Sequence, residues 1–192
     1  MSAVDVVNEI LGIYRSVGYT EYDGEPVSHL EHMLQAAQLA MDEGFDDEVI
    51  LAAFLHDIGH IAVERNEQSK MMGYGIVHHE KTGADFLRVR GFPEKICQLV
   101  EHHVTAKRYL VYSEPEYFQS LSEASRETLR HQGGPMKAEE AQAFERHPYF
   151  TLFVRMRRWD DQAKQVNGRM ADLNIIRDML IRLLEGQAKR PD

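Results

Sequence analysis

The chain has 192 residues, 43% of them hydrophobic, which suits one domain with a packed core and excludes disorder along its whole length. Lys plus Arg number 22 against 31 Asp plus Glu, a net charge of −9 that argues against attachment to nucleic acid or anionic lipid by bulk electrostatics. The one cysteine, Cys97, can form no intrachain disulfide and rules out a cysteine-rich zinc site. With no basic-then-apolar leader and no apolar run near the roughly 18 residues of a membrane span, a reducing cytoplasm is the expected compartment and no membrane partner is expected.

In chain order the predicted elements are helical. Ser28 and Glu31 form a capping box that opens a helix through Met41 bearing Leu30, Met33, Leu34 and Ala37, and Gly44 ends it. Asp46 and Asp47 cap the next, which carries Val49, Ile50, Ala53 and Phe54 and stops at His56-Asp57-Ile58-Gly59-His60. Residues 64–76 read as a loop; a helix then runs from about His79 to Arg90 with Gly91 as its stop, and Pro93 begins another that reaches His102-His103. A polar stretch ending in Gly133-Gly134-Pro135 precedes helices at about 138–163 and 169–185. No alternating strand pattern or internal repeat interrupts this series. The expected architecture is an all-α bundle, a single domain over residues 1–192 with its core at about 15–163.

Ten histidines stand out, eight of them between residues 29 and 103. Helical spacing sorts them. His103 follows Ile96 by seven, Leu99 by four and Val100 by three, so it shares their inward face, whereas His102 aligns with Gln98. His79 aligns with Gly83, Phe86 and Leu87, and His78 with Thr82 and Asp85. His56 follows Val49, Ala52 and Ala53 into the core with Asp57 beside it, while His29 and His32 both align with apolar residues and periodicity does not separate them.

A single inward imidazole is commonly a core histidine bonded to a carbonyl. Four on separate helices, with a carboxylate next to one, are satisfied most economically by metal, because each buried ring without a partner costs free energy. Nitrogen and oxygen donors suit iron, zinc, manganese or nickel, and the two oxygens of Asp57 could bridge two ions.

His32, then His56-Asp57, then a distant Asp resembles the HD-domain superfamily, a helical metal-dependent fold used mostly for phosphate-ester hydrolysis. A closer match runs over about residues 15–163. It comprises Tyr22-Asp23-Gly24-Glu25, Leu30-Glu31-His32, Leu55 through His60, Gly73-Tyr74-Gly75, His79-Glu80-Lys81 and His103 through Leu110. Leu121-Ser122 through Arg126, Gln132 through Met136 and Trp159-Asp160 complete it. These residues resemble the HD-domain diiron oxygenases that cleave the C–P bond of 2-amino-1-hydroxyethylphosphonate.

That resemblance implies two iron ions in a mixed-valent Fe(II)/Fe(III) pair. His32, His56, Asp57 and Asp160 would hold one, and Asp57, His79 and His103 the other, Asp160 being preferred to Asp161 because it follows Trp159. It further implies that Tyr22 caps the open metal position and leaves when substrate arrives, that Glu25 meets a cationic substrate nitrogen, and that Lys107, Ser125, Arg157 and His60 meet the phosphonate, with His60 also a possible proton donor. The implied partners are an organophosphonate, with an amino or trimethylammonio group, and dioxygen; the products are phosphate and glycine or glycine betaine. For a trimethylammonium end, Tyr14, Tyr19, Tyr22, Tyr74, Tyr109 and Trp159 could furnish an aromatic surround. Two rival classes remain: an HD-type phosphohydrolase acting on nucleotides or small phosphate esters, and a non-catalytic helical domain that binds a phosphorylated metabolite. No feature of the sequence sets an oligomeric state.

Overall fold

The structure is a computed structural model that describes residues 1–20, 22, 24–62 and 78–188. The expected loop at 64–76, with Gly73-Tyr74-Gly75, and the Asp23 of the first motif lie outside the described residues. Among those described there is no strand, as the all-α expectation requires. The chain forms α1 (Ala3–Val17), α2 (His29–Asp42), α3 (Asp47–Leu55), a 3-10 turn (Ile58–His60), α4 (His79–Arg88) and α5 (Glu94–Ser113). It continues through α6 (Tyr117–Ser120), α7 (Glu123–His131), α8 (Ala138–Glu145), α9 (Phe150–Gln162) and α10 (Leu173–Ala188).

Three helices stand where no element is expected. Helix α1 has its own capping box, in which the Ser2 hydroxyl accepts from the Asp5 amide, and buries Val6, Val7, Ile10, Leu11 and Tyr14 at helical spacing. Helices α6 and α7 occupy the stretch read as a polar connection, and α7 is capped by Ser122, whose hydroxyl accepts from the Ser125 amide. The expected helix at 138–163 is two: Pro148 disfavours helical backbone at His147, so α8 ends at Glu145 and α9 starts at Phe150. The last helix starts at Leu173 instead of near 169.

Helix α5 is the axis, packed against α3, α4, α6 and α9. One stripe along it explains both core and site. Ile96, Leu99, Val100, His103, Ala106, Lys107 and Leu110 recur at helical spacing and are all buried, so the face that is apolar at the start of α5 turns into a polar pocket wall one turn later. Phe54, Phe153, Met156 and Trp159 fill the space between α3, α5 and α9; each large side chain buried in this way contributes about 1.5–3 kcal/mol. Trp159 is a core residue: it packs edge-on against Phe45 and its indole N–H donates to Glu43 at 2.9 Å. Helices α1 and α10 close the far side.

Gly59 decides how closely α4 approaches the 3-10 turn. A Cβ there would lie 2.0 Å from the His79 carbonyl oxygen and 2.8 Å from the Gly83 nitrogen, so only a residue without one lets His79 sit beside Asp57. Gly59→Ala is therefore expected to lower stability by about 1–3 kcal/mol, the usual cost of overpacking, and to displace His79. Gly12→Ala, on a helical surface with nothing within 4 Å, should instead raise stability by about 0.5–1 kcal/mol. Urea unfolding midpoints of the two variants check both signs.

Candidate metal centre

Asp57 follows the end of α3 and is almost wholly buried. Its Oδ2 lies 3.5 Å from His56 Nε2 and 3.7 Å from His32 Nε2, and its Oδ1 lies 3.3 Å from both His79 Nε2 and His103 Nε2. Each carboxylate oxygen thus faces a different imidazole pair. On the Oδ2 side, Asp160 Oδ1 closes the set at 3.5 Å from His32 Nε2 and 4.0 Å from His56 Nε2.

The orientation of the rings comes from main-chain carbonyls at helix ends. His32 Nδ1 meets the Ala163 carbonyl just past α9 at 2.9 Å, and His56 Nδ1 meets the Ala53 carbonyl in the last turn of α3 at 2.8 Å. His103 Nδ1 meets the Val100 carbonyl at 2.6 Å. A carbonyl only accepts, so these Nδ1 atoms carry the protons and the Nε2 atoms present lone pairs. Burial, reinforced by His56, brings the His32 imidazole down to about 3, so it is neutral.

That protonation pattern tests whether metal fits. His32 Nε2 and His56 Nε2 are 3.1 Å apart, yet neither has a proton to share, and Asp160 Oδ1 and Asp57 Oδ1 are buried with no hydrogen-bond donor among the described residues. Converging lone pairs repel unless a cation sits between them. A metal about 2.1 Å from each of two nitrogens at about a right angle separates them by about 3.0 Å, the spacing of His32 and His56 and also that of His79 and His103. His32, His56 and Asp160 form one set that could hold an ion, and Asp57, His60 and His79 form another; His103 lies as close to Asp57 as His79 does. Two metal ions fit this donor set.

The other predicted residues gather at a cavity on the open side of the centre. Tyr22 donates to Asp57 Oδ2 at 2.5 Å and stacks on His32, ring centroids 4.3 Å apart. Burial and the Asp57 carboxylate push its phenol well above the usual value, so it remains a donor. Gly24, with a φ of +81°, turns the chain so that the Glu25 amide meets the Tyr22 carbonyl at 2.7 Å and both side chains line the cavity. His60 stacks on His79 with centroids 3.8 Å apart. Lys107 donates to Thr128 Oγ1 at 3.0 Å and the Ser125 carbonyl at 3.3 Å, and burial together with the Arg157 guanidinium brings its ammonium down to about 7.

Arg157 ties the cavity to the metal centre. It donates to Asp160 Oδ2 at 2.7 Å, to Ser125 Oγ at 3.4 Å, to the Tyr117 hydroxyl at 3.0 Å and to Asp161, while Tyr117 itself donates to Asp161. Asp160 therefore faces the imidazoles and Asp161 faces the arginine. Burial opposes ionisation of Asp160, but Arg157 and His56 outweigh it and hold the carboxyl well below its usual range.

The histidine faces fall as the spacing predicts: His103 and His79 are buried, His78 is exposed, and His102 is half-buried against Phe144 and Phe153. Periodicity left His29 and His32 unresolved; His32 joins the centre and His29 packs edge-on against Tyr22. Three cavity or network residues lay outside the sequence reading, Tyr117, Thr128 and Lys164, and Gln132 entered it only as part of the Gln132–Met136 match, with no role. Lys164 had a signal, four residues beyond Asp160 and seven beyond Arg157, although α9 ends two residues before it. Tyr117 had none, because its contact to Arg157 spans 40 residues.

The HD domain family model matches residues 28–148. A (1-hydroxy-2-(trimethylamino)ethyl)phosphonate dioxygenase (glycine-betaine-forming) of Leisingera caerulea is 41% identical over 181 residues, which cover 94% of this chain and 91% of that protein. A hydroxymethylphosphonate dioxygenase of Gimesia maris is 37% identical over 87% of this chain and 82% of its own length. An uncharacterized protein of Acanthamoeba polyphaga mimivirus is 43% identical over 93% of this chain and 81% of its own.

His79→Ala and His103→Ala are expected to retain about one metal ion per chain where the unaltered protein retains two, and His78→Ala and His102→Ala to retain both. Elemental analysis after gel filtration checks this, and loss of metal from the second pair of variants would reverse the assignment of helix faces.

Proposed function

We propose that this chain, which belongs to the HD domain family and to the group within it that holds the two phosphonate dioxygenases, cleaves the C–P bond of a 1-hydroxyphosphonate with dioxygen. The products are inorganic phosphate and a carboxylate, and the four electrons dioxygen accepts come from oxidation of C1 and cleavage of its bond to phosphorus. The observation that carries this reading is the division of Asp57 between two imidazole pairs, one oxygen to each.

His32, His56, Asp57 and Asp160 would hold one iron, and Asp57, His79 and His103 the other. When bound, the pair supplies Lewis acidity toward the substrate hydroxyl and electrons for dioxygen. Tyr22, hydrogen-bonded to Asp57, blocks the cavity side of the centre and must leave for substrate to reach it. Lys107 and Arg157 supply cationic donors to the phosphonate, and Ser125 a hydroxyl, from α5, α9 and α7; three elements converging on one group fix its orientation. Burial and the stacked His79 keep the His60 imidazole well below its usual value, so it lines the cavity as a neutral ring.

Anaerobic reconstitution with ferrous iron followed by oxygen-electrode and phosphate assays tests the reading. Two irons per chain and one dioxygen consumed per phosphate released are expected. Phosphate release at an undiminished rate without oxygen would replace the oxygenase with a hydrolase.

A further inference from the structure

We infer that Tyr117 and Asp161 are positioning residues for phosphonate recognition: together they fill one edge of the Arg157 guanidinium and so turn its other edge toward the cavity. The inference rests on the proposed C–P cleavage for the identity of the ligand. It goes beyond that reading by assigning roles to two residues outside both the metal set and the phosphonate set.

A guanidinium carries five N–H donors in one rigid plane. On one edge of Arg157, Nε donates to the Tyr117 hydroxyl at 3.0 Å and Nη2 donates to Asp161. The Tyr117 hydroxyl donates its own hydrogen to the same carboxylate, so the three side chains close a ring. On the other edge Nη1 donates to Asp160 Oδ2 at 2.7 Å and Nη2 to Ser125 Oγ at 3.4 Å. Because the plane is rigid, filling the first edge fixes where the second points. The Ser125 contact is the longest of the set, which makes that N–H the one a phosphonate oxygen can most readily take over. These partners lie on α6, α7 and α9. None belongs to the Tyr22–Glu25 turn, so the arrangement does not depend on Tyr22 staying against Asp57.

A fixed point must itself be held. Tyr117 is buried in a small cluster with Leu110 and Leu121, and its carbonyl accepts from the Ser120 hydroxyl at 2.8 Å. The Arg158 guanidinium stands 5.0 Å from its ring centroid and donates to Glu114 at 2.6 Å. Two successive residues of α9 thus engage Tyr117, Arg157 at the hydroxyl and Arg158 at the ring. Asp161 also balances the charge of a buried cation, but charge balance alone needs no phenol, and phenylalanine in place of Tyr117 would leave it intact. Positioning does need the hydroxyl, because without it the Nε–H loses its acceptor and Asp161 loses a donor.

Anaerobic calorimetry with methylphosphonate, which has no C1 hydroxyl, reads phosphonate binding to the iron-loaded enzyme without turnover. Tyr117→Phe and Asp161→Asn should each raise its Kd by about tenfold, the loss expected for one hydrogen bond to a charged group, with two irons per chain retained. The double variant should lose little more than the worse single one, because both residues act through one guanidinium. In an Arg157→Lys background, whose ammonium has no second edge, Tyr117→Phe should change the Kd by less than about twofold. Oxygen uptake with hydroxymethylphosphonate, 1-hydroxy-2-aminoethylphosphonate and its trimethylammonio analogue should show the loss in KM, with kcat within about twofold. Phe118→Ala, an exposed neighbour on α6, should change neither. An unchanged Kd in Tyr117→Phe, the same further loss in the Arg157→Lys background, or a loss of iron overturns the assignment. If Asp161→Asn fails to fold, Tyr117→Phe decides alone. No uptake with any of the three substrates by protein carrying two irons would sink the C–P reading instead, and the calorimetric series would still decide the role of Tyr117.

Discussion

The structure depends on one carboxylate that is buried and shared. Burial opposes ionisation of Asp57, yet His56, His103 and His79 outweigh it and hold the group well below the usual carboxylate range. A buried charge of this kind persists only where compensating groups surround it on every side. Here the Tyr22 hydroxyl donates to one oxygen, and four imidazoles stand around both oxygens where metal ions would complete the compensation; these groups come from α2, from the end of α3, from α4, from α5 and from the Tyr22–Glu25 turn. The bundle is in this sense arranged around Asp57: α4 can approach only because Gly59 has no side chain, and α2 is oriented by the carbonyl that ends α9.

Helix α9 couples this centre to the cavity. Arg157, Asp160 and Asp161 occupy one face of it, three and four residues apart, so a single guanidinium holds both the carboxylate that faces the imidazoles and the one that anchors Tyr117. Burial alone would lower the affinity of Arg157 for its proton, but Asp160 and Asp161 reverse that and leave it a permanent cation. Under the proposed function, a phosphonate contacting Arg157 would meet a donor held in place by the helix that carries Asp160.

The cavity balances charge closely. Lys107 reaches Ser125 through its carbonyl, and Lys164 and Arg157 reach it through its hydroxyl. Such a cluster of like charge needs anions, and the chain provides Glu25 for Lys164 and Asp160 with Asp161 for Arg157. Among the described residues Lys107 has hydroxyl and carbonyl partners and no carboxylate contact, and burial depresses its ammonium. Under the proposed function it is where a phosphonate would gain most.

Much of this was legible in the chain before folding. The 3.6-residue period separated His103 from His102 and His79 from His78, because a helix presents residues three, four and seven apart to one side whatever its neighbours are. Capping boxes located the start of α2, and His56-Asp57 announced the carboxylate at the helix end. Helix α1 carries the same kind of signal, a Ser2 and Asp5 cap and a helical period, yet it was not among the expected elements. What local pattern could not decide was distance across the fold. His29 and His32 share an apolar face, and only the position of α9 selects His32 by offering the Ala163 carbonyl. Asp160 and Asp161 are adjacent, and helical spacing alone leaves both open; the resemblance prefers Asp160, and in the fold Tyr117 from α6 takes Asp161. Glu25 and Lys164 are 139 residues apart and pair only when α9 and the Tyr22–Glu25 turn meet at the cavity. Periodicity encodes which way a side chain points, whereas which partner waits there depends on packing between helices far apart in sequence.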